Sequence, residues 1–146
     1  MLPLALTIVL LAACSPSTSE NPAVGKRIFA ANCAVCHGTE GQGQPDWHIP
    51  KEDGTLPPPP LNGNGHTWHH SDGLLYRIVS QGGQFQEDTD LSSFRSAMPA
   101  FGDRLSREET VQVLTYVKSL WGDKTSRGSS IKEWQALASE TDPFPK

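Results

Sequence analysis

Cys33-Ala34-Val35-Cys36-His37 constrains this chain more than any other stretch. Two thiols three positions apart, with an imidazole directly after the second, read as the covalent attachment site of a c-type haem. Each thiol can add across one vinyl group of a single macrocycle, and the His37 imidazole then lies under the iron as its proximal ligand. A C-x-x-C pair can also act as a redox dithiol or as half of a zinc site. Against those readings stand the His that follows at once, the lack of a second Cys pair and the lack of a βαβ pattern around the motif. The fold must therefore let one turn of backbone hold a flat, largely apolar disc.

Cysteine usage elsewhere is sparse. Of three Cys, two are in the pentapeptide, so no disulfide framework is available. The third, Cys14, closes an apolar run over 1–13 that ends Leu11-Ala12-Ala13-Cys14 and resembles the lipobox of bacterial lipoproteins. The run is shorter than the ~20 residues that span a bilayer core but has the length of an export-signal h-region. The expectation is a signal peptide over 1–13, cleavage before Cys14 and a lipid on its sulfur, with more than one acyl chain for stable anchoring. Ser15 to Asn21 then forms a polar tether.

Residues 22–146 are of one-domain length. Apolar content of 36% with 13 Gly and 12 Pro gives a small, loop-rich core. A macrocycle remedies this, because side chains that cannot bury enough of one another can pack on it. The formal charge of −4 lacks the basic footprint that nucleic-acid binding requires.

Three segments carry helical periodicity. The first opens at Asn21-Pro22, a cap followed by Pro at the first helical position, and places Gly25, Ile28, Phe29 and Asn32 on one face before running into Cys33. The second begins near Ser71-Asp72, aligns Leu74, Leu75, Ile78 and Val79, and stops at Gly82-Gly83. The third opens with the capping box Ser106-Arg107-Glu108-Glu109 and aligns Val113, Leu114, Val117, Leu120 and Trp121 before Gly122. No segment alternates as a strand, so the domain reads as all-α. Gly25 allows a close helix crossing, with Phe29 as an aromatic contact and Tyr116 and Trp121 as its counterparts on the last of the three helices.

Taken in order, these features resemble a class I, monohaem cytochrome c over about Asn21 to Trp121. The resemblance rests on the Gly25–Phe29 helix, the Cys33–His37 pentapeptide, Pro59-Pro60-Leu61, Met98-Pro99-Ala100-Phe101 and the helix ending in Tyr116 to Trp121. It implies one covalent haem c in a small helical domain over 22–121. It also implies a distal Met near the last helix, and Met98 is the only thioether outside the expected signal peptide. Pro99 holds its backbone extended. Met/His ligation raises the potential and leaves no open position; a lone Met can equally be a core gap-filler. The resemblance further implies that a carbonyl in the Pro-x-Leu segment, here Pro59, accepts the Nδ1 proton of His37. The run Pro57 to Pro60 could alternatively be a polyproline II recognition segment or spacer.

His48, His66, His69 and His70 leave several readings open. Each could displace Met98 from the iron, and His66, His69 and His70 could form a copper or zinc site. With the indole of Trp68 they could instead contact the haem propionates, or they could be solvated loop residues. Beyond the third helix, 122–129 reads as a polar linker. Ser130-Ile131-Lys132-Glu133 then caps a short helix whose Ile131, Trp134 and Leu137 form one apolar face, packed back on the domain or docked on a partner.

The function these residues predict is single-electron transfer by a membrane-anchored, monomeric carrier on the extracytoplasmic (periplasmic) side of a bacterial membrane. Its partners would be redox proteins such as a respiratory complex or oxidase, and no catalytic nucleophile or acid–base pair is needed. Two rivals are a haem enzyme or gas sensor with a labile distal position, and a copper-handling haem lipoprotein using His66, His69 and His70.

Overall fold

The computed structural model describes residues 22–84, 95–123 and 128–146. Cys14, the apolar run before it, the tether and the expected cap Asn21 lie outside the described residues. The elements are helices α1 (Pro22–Asn32), α2 (Ala34–His37), α3 (Asp72–Gln81), α4 (Arg107–Ser119) and α5 (Ile131–Glu140), with a 3₁₀ turn at Thr67–His69. Strands β1 (Thr55–Leu56) and β2 (Arg95–Ser96) pair in parallel. That pairing departs from the strand-free expectation. Two residues per strand are too few to show an alternating pattern, and the partners lie far apart in the chain.

The core forms where α1 crosses α4. A Cβ at Gly25 would sit 2.8 Å from Tyr116 Cβ and closer still to the Gln112 carbonyl oxygen, so only glycine lets the two backbones approach this far. One turn on, Phe29 meets Tyr116 edge-on at 5.3 Å between ring centroids, within the range aromatic pairs prefer. Trp121, the other expected counterpart of Phe29, serves a different contact. Its Nε1 donates to Thr67 Oγ1 at 3.1 Å, and its carbonyl faces Gly63, where a Cβ would collide with it. Phe29, Leu75, Val113, Leu114, Tyr116, Val117, Trp121 and Ile131 form one buried cluster. The predicted stripe of α4 is thus the inner face of the domain.

Both α3 and α4 start where their capping residues place them. Ser71 accepts from the Leu74 N–H. Ser106 accepts from the Glu109 N–H while Glu109 Oε2 accepts from the Ser106 N–H, a complete capping box. α5 packs back on the domain, but not through its predicted face. Ile131 is 2% exposed, whereas Trp134 is 50% and Leu137 65% exposed. The inner face is Ile131, Gln135 and Ser139 instead. Gln135 Nε2 donates to the His70 carbonyl at 2.9 Å, and Ser139 Oγ accepts from the Asp72 N–H at 3.0 Å. The surface offered to α5 is the polar N-terminus of α3, which calls for hydrogen-bonding partners. Beyond α5, Asp142 accepts two hydrogen bonds from Arg77, at 3.0 and 2.9 Å, and one from the Ser71 hydroxyl.

Candidate functional site

The pentapeptide sits at the end of the tightly packed helix. The Cys33 N–H continues the α1 ladder to the Phe29 carbonyl at 2.8 Å, and the His37 N–H returns to the Cys33 carbonyl at 2.9 Å. One turn therefore holds both thiols and the imidazole. Cys33 is half-buried and Cys36 exposed, and neither is in a disulfide. Burial, with the neighbouring Cys36 second, pushes the Cys33 thiol up to about 11. A redox dithiol works through a thiol whose pKa is lowered, and the shift here runs the other way.

His37 is buried, and its Nδ1 lies 2.9 Å from the Pro59 carbonyl oxygen. A carbonyl only accepts, so Nδ1 carries the proton and Nε2 keeps the lone pair a metal needs. Burial lowers the pKa of this imidazole, partly opposed by the Pro59 hydrogen bond, which favours the neutral ligand form. The wall that supplies the carbonyl is fastened along its length. Gln44 N–H donates to the Pro58 carbonyl at 3.0 Å, and the N–H groups of Leu61 and Asn62 both donate to the Gly41 carbonyl. Gln44 Nε2 donates to the Cys36 carbonyl at 2.8 Å. Gly43, at φ 71°, is a point of close approach: a Cβ there would be 2.7 Å from the Pro59 carbonyl carbon and nearer still to the Pro60 nitrogen. The pentapeptide drew attention to itself in the sequence; Gly41 and Gly43 did not, although glycines so soon after His37 are the available signal.

Met98 lies half-buried just after β2. Its N–H donates to Ser96 Oγ at 3.2 Å, and its carbonyl accepts from the Gly83 N–H at 3.0 Å. The next residues fasten onto the end of α3, where Phe101 and Gly102 N–H groups donate to the Val79 and Ser80 carbonyls, both at 2.9 Å. Those carbonyls belong to the last turn of α3, where no intrahelical partner is available. The segment bearing Met98 thus acts as the cap of α3. Leu74, Ile78 and Val79 on α3 stay half-buried, while Leu75 is buried in the core.

These residues fit a haem c. The residues that would hold it are two unpaired thiols one turn apart, an imidazole whose Nε2 is free by tautomer and, offered from the separate Met98 segment, a soft thioether. The surrounding half-buried apolar side chains are of the kind a flat macrocycle packs against. The Trp68 indole N–H donates to the Gly65 carbonyl at 3.0 Å. That bond closes the turn from Gly65 to Trp68 that contains His66, and it takes up the one donor the indole has. His48 is exposed and packs edge-on against Trp47 at 5.7 Å, whereas one ring nitrogen from each of His66, His69 and His70 falls within 4.8 Å of the other two. Burial, with His69 second, lowers the pKa of His66; burial, then His69 and His66, lowers that of His70 to about 4.

Comparison with known proteins agrees with this geometry. The cytochrome c family matches residues 22–121. Cytochrome c6 of a Synechococcus strain is 32% identical over 78% of this chain and 85% of its own length. The cbb3-type cytochrome c oxidase subunit FixP of Sinorhizobium medicae is 32% identical over 66% of this chain and 29% of its own length. The cytochrome c subunit of a quinone alcohol dehydrogenase from Gluconobacter oxydans is 27% identical over 82% of the chain and 23% of its length. The chain thus spans less than a third of the oxidase and dehydrogenase subunits it matches. No solved structure gives a significant match. A match that runs from the first residue of α1 to the Trp121 contact beyond α4 shows that the chain belongs to the cytochrome c family, whose members hold haem c covalently.

Proposed function

We propose that this chain is a monohaem, single-electron carrier with His37 and Met98 as axial ligands, held by a lipid on Cys14 at the extracytoplasmic face of a bacterial membrane. The observation that carries the reading is the 2.9 Å contact from His37 Nδ1 to the Pro59 carbonyl. It fixes ring orientation and tautomer and raises the basicity of Nε2. When bound, the haem supplies an iron that cycles between ferric and ferrous states. The protein's share is restraint. The Gly41–Asn62 and Gln44–Pro58 bonds keep the proximal side fixed, and the Gly83–Met98 bond presents the segment from which a thioether would close the other side. A thioether favours the ferrous state and so raises the potential. No described residue has to give or take a substrate proton in such a role.

The names of the relatives support a partner of the respiratory kind. FixP is a subunit of an oxidase, and the Gluconobacter protein is a subunit of a quinone dehydrogenase. A small carrier would pass electrons between complexes of that type. Leu11-Ala12-Ala13-Cys14 supports the anchor, and among the described residues no helix is long and apolar enough to cross a membrane.

Ligand challenge tests this reading. The ferrous protein should leave carbon monoxide unbound and the ferric protein should take up cyanide only slowly, with unchanged visible spectra on mixing. Prompt spectral shifts with either ligand would make the iron an open or labile centre and replace the carrier with an enzyme or gas sensor. For the anchor, Cys14→Ser should release the protein from the membrane fraction; retention there would remove the lipid.

A further inference from the structure

Apart from the residues assigned to the haem, three imidazoles converge on one short turn. The 3₁₀ turn Thr67–His69 closes with the His69 N–H on the His66 carbonyl and the His70 N–H on the Thr67 carbonyl, both at 3.2 Å. In a 3₁₀ turn residues three apart eclipse, so His66 and His69 share a side. His69 and His70 rings lie 4.4 Å apart between centroids, and each is within 5.5 Å of the His66 ring.

The turn is held by its surroundings rather than by the histidines themselves. Trp121 Nε1 fastens Thr67, Trp68 Nε1 fastens Gly65, and Gln135 Nε2 holds the His70 carbonyl. Gly65 packs so closely on Pro60 that a Cβ would sit 2.9 Å from its carbonyl carbon. Trp47 stacks on the His66 ring at 5.5 Å, nearly parallel at 15°. A site whose ligands are positioned by packing needs little reorganisation to bind.

One atom in this arrangement lacks a partner. His66 Nδ1 is buried and has no hydrogen bond among the described residues. Such an orphan costs about 1–3 kcal/mol, and a metal ion bound through Nδ1 would satisfy it.

We propose that His66, His69 and His70 bind one divalent ion of the borderline class, copper(II) or zinc, with a remaining coordination position reached from solvent beside the exposed His69. The donor set selects the class. It holds three imidazoles with neither thiolate nor carboxylate, which suits copper and zinc and not magnesium or calcium. Copper(II) binds more tightly than zinc at a common nitrogen site. Tetrahedral coordination with metal–nitrogen bonds near 2.0 Å places ligand nitrogens roughly 3.3 Å apart. From a spread of 4.8 Å or less, side-chain rotation is enough to close the set. Three protein ligands with a further open position is the pattern of reactive rather than purely structural metal sites.

The test titrates the full-length holoprotein with copper(II) or zinc salts alone, followed by calorimetry and, for copper, electron paramagnetic resonance. One equivalent should bind, with hyperfine structure from three nitrogens. His69→Gln changes an exposed side chain and should leave the haem spectrum intact while weakening binding by more than the roughly 10- to 100-fold that loss of an outer-shell partner costs. The triple change His66→Asn, His69→Gln, His70→Asn should abolish the site. Equal affinity in wild type and the triple variant would overturn the proposal. So would a His69→Gln protein whose haem spectrum shifts while its metal affinity stays unchanged, which would assign the cluster to the iron.

Discussion

The two halves of the candidate haem site are built from different obstacles. On the His37 side, close approach is backbone against backbone: a Cβ at Gly43 runs into the Pro59 carbonyl carbon and the Pro60 nitrogen. On the Met98 side, a Cβ at Gly83 meets side chains, 2.8 Å from Ser96 Cβ and 3.1 Å from Met98 Cβ, and one at Gly82 meets the backbone of the Met98 segment only at 3.1 Å. The backbone contacts are tighter at Gly43 than at Gly82, and at Gly83 the Ser96 hydroxyl can rotate away although the Cβ atoms cannot. We expect the distal half, a strap that runs on from β2 and is fastened to the end of α3 by the Gly83–Met98, Phe101–Val79 and Gly102–Ser80 bonds, to be the more yielding of the two.

The largest effect that would break this contrast is Gly43→Ala. A left-handed backbone costs an L-residue about 1–2 kcal/mol, and overpacking adds about 1–3 kcal/mol. A loss of about 3 kcal/mol in denaturant unfolding is expected; an unchanged midpoint would mean that the proximal wall gives way as easily as the distal one. Gly25→Ala comes next. The α1–α4 clash is offset by about 1 kcal/mol of helix propensity, leaving a net loss near 2 kcal/mol, read by the same unfolding curve. Gly83→Ala should cost only about 1 kcal/mol, yet it should move the thioether-dependent absorption of the ferric haem, because the atoms it displaces lead to Met98. A spectral change in Gly43→Ala and none in Gly83→Ala would reverse the assignment of the yielding half.

The smallest effect concerns the latch beneath α3. The Asp142 carboxyl is held down to about 2, first by Arg77 and then by the Ser71 hydroxyl. A carboxyl with a lowered folded-state pKa contributes stability that is fully present above its ordinary value near 4. That contribution is lost as pH falls toward and through about 2. Arg77 and Asp142 side chains are 39% and 36% exposed, so solvent screening limits the pair to at most about 1 kcal/mol. Acid titration of wild type against Asp142→Asn should show this component in wild type alone. Because α3 carries the Met98 strap, its loss should loosen the distal half and leave the His37 side unchanged.

How much of this was legible in the sequence follows the range of each interaction. The pentapeptide, the capping residues Ser71 and Ser106 and the stripe of α4 are local patterns, and each could be read directly. The Gly25–Tyr116 crossing was legible because glycine followed by an aromatic one turn later leaves few alternatives. α5 was misread for a physical reason. Its neighbour is the polar start of α3, so Gln135 and Ser139 turn inward and Trp134 and Leu137 outward, which periodicity alone could not show. The β1–β2 pair is too short to carry a pattern, and Gly41 and Gly43 acquire meaning only beside Pro58 to Leu61. Trp68 could be recognised as a donor, but its acceptor, Gly65, is fixed by the turn it closes.

The central claim is that the yielding half of the site ends in a thioether bond from Met98 to the iron. The visible spectrum of the purified ferric protein, recorded for wild type and Met98→Ala, tests it most directly. A sulfur-to-iron charge-transfer band in wild type that disappears in the variant, with the haem still covalently held, is the predicted result. A variant spectrum identical to wild type would contradict the account.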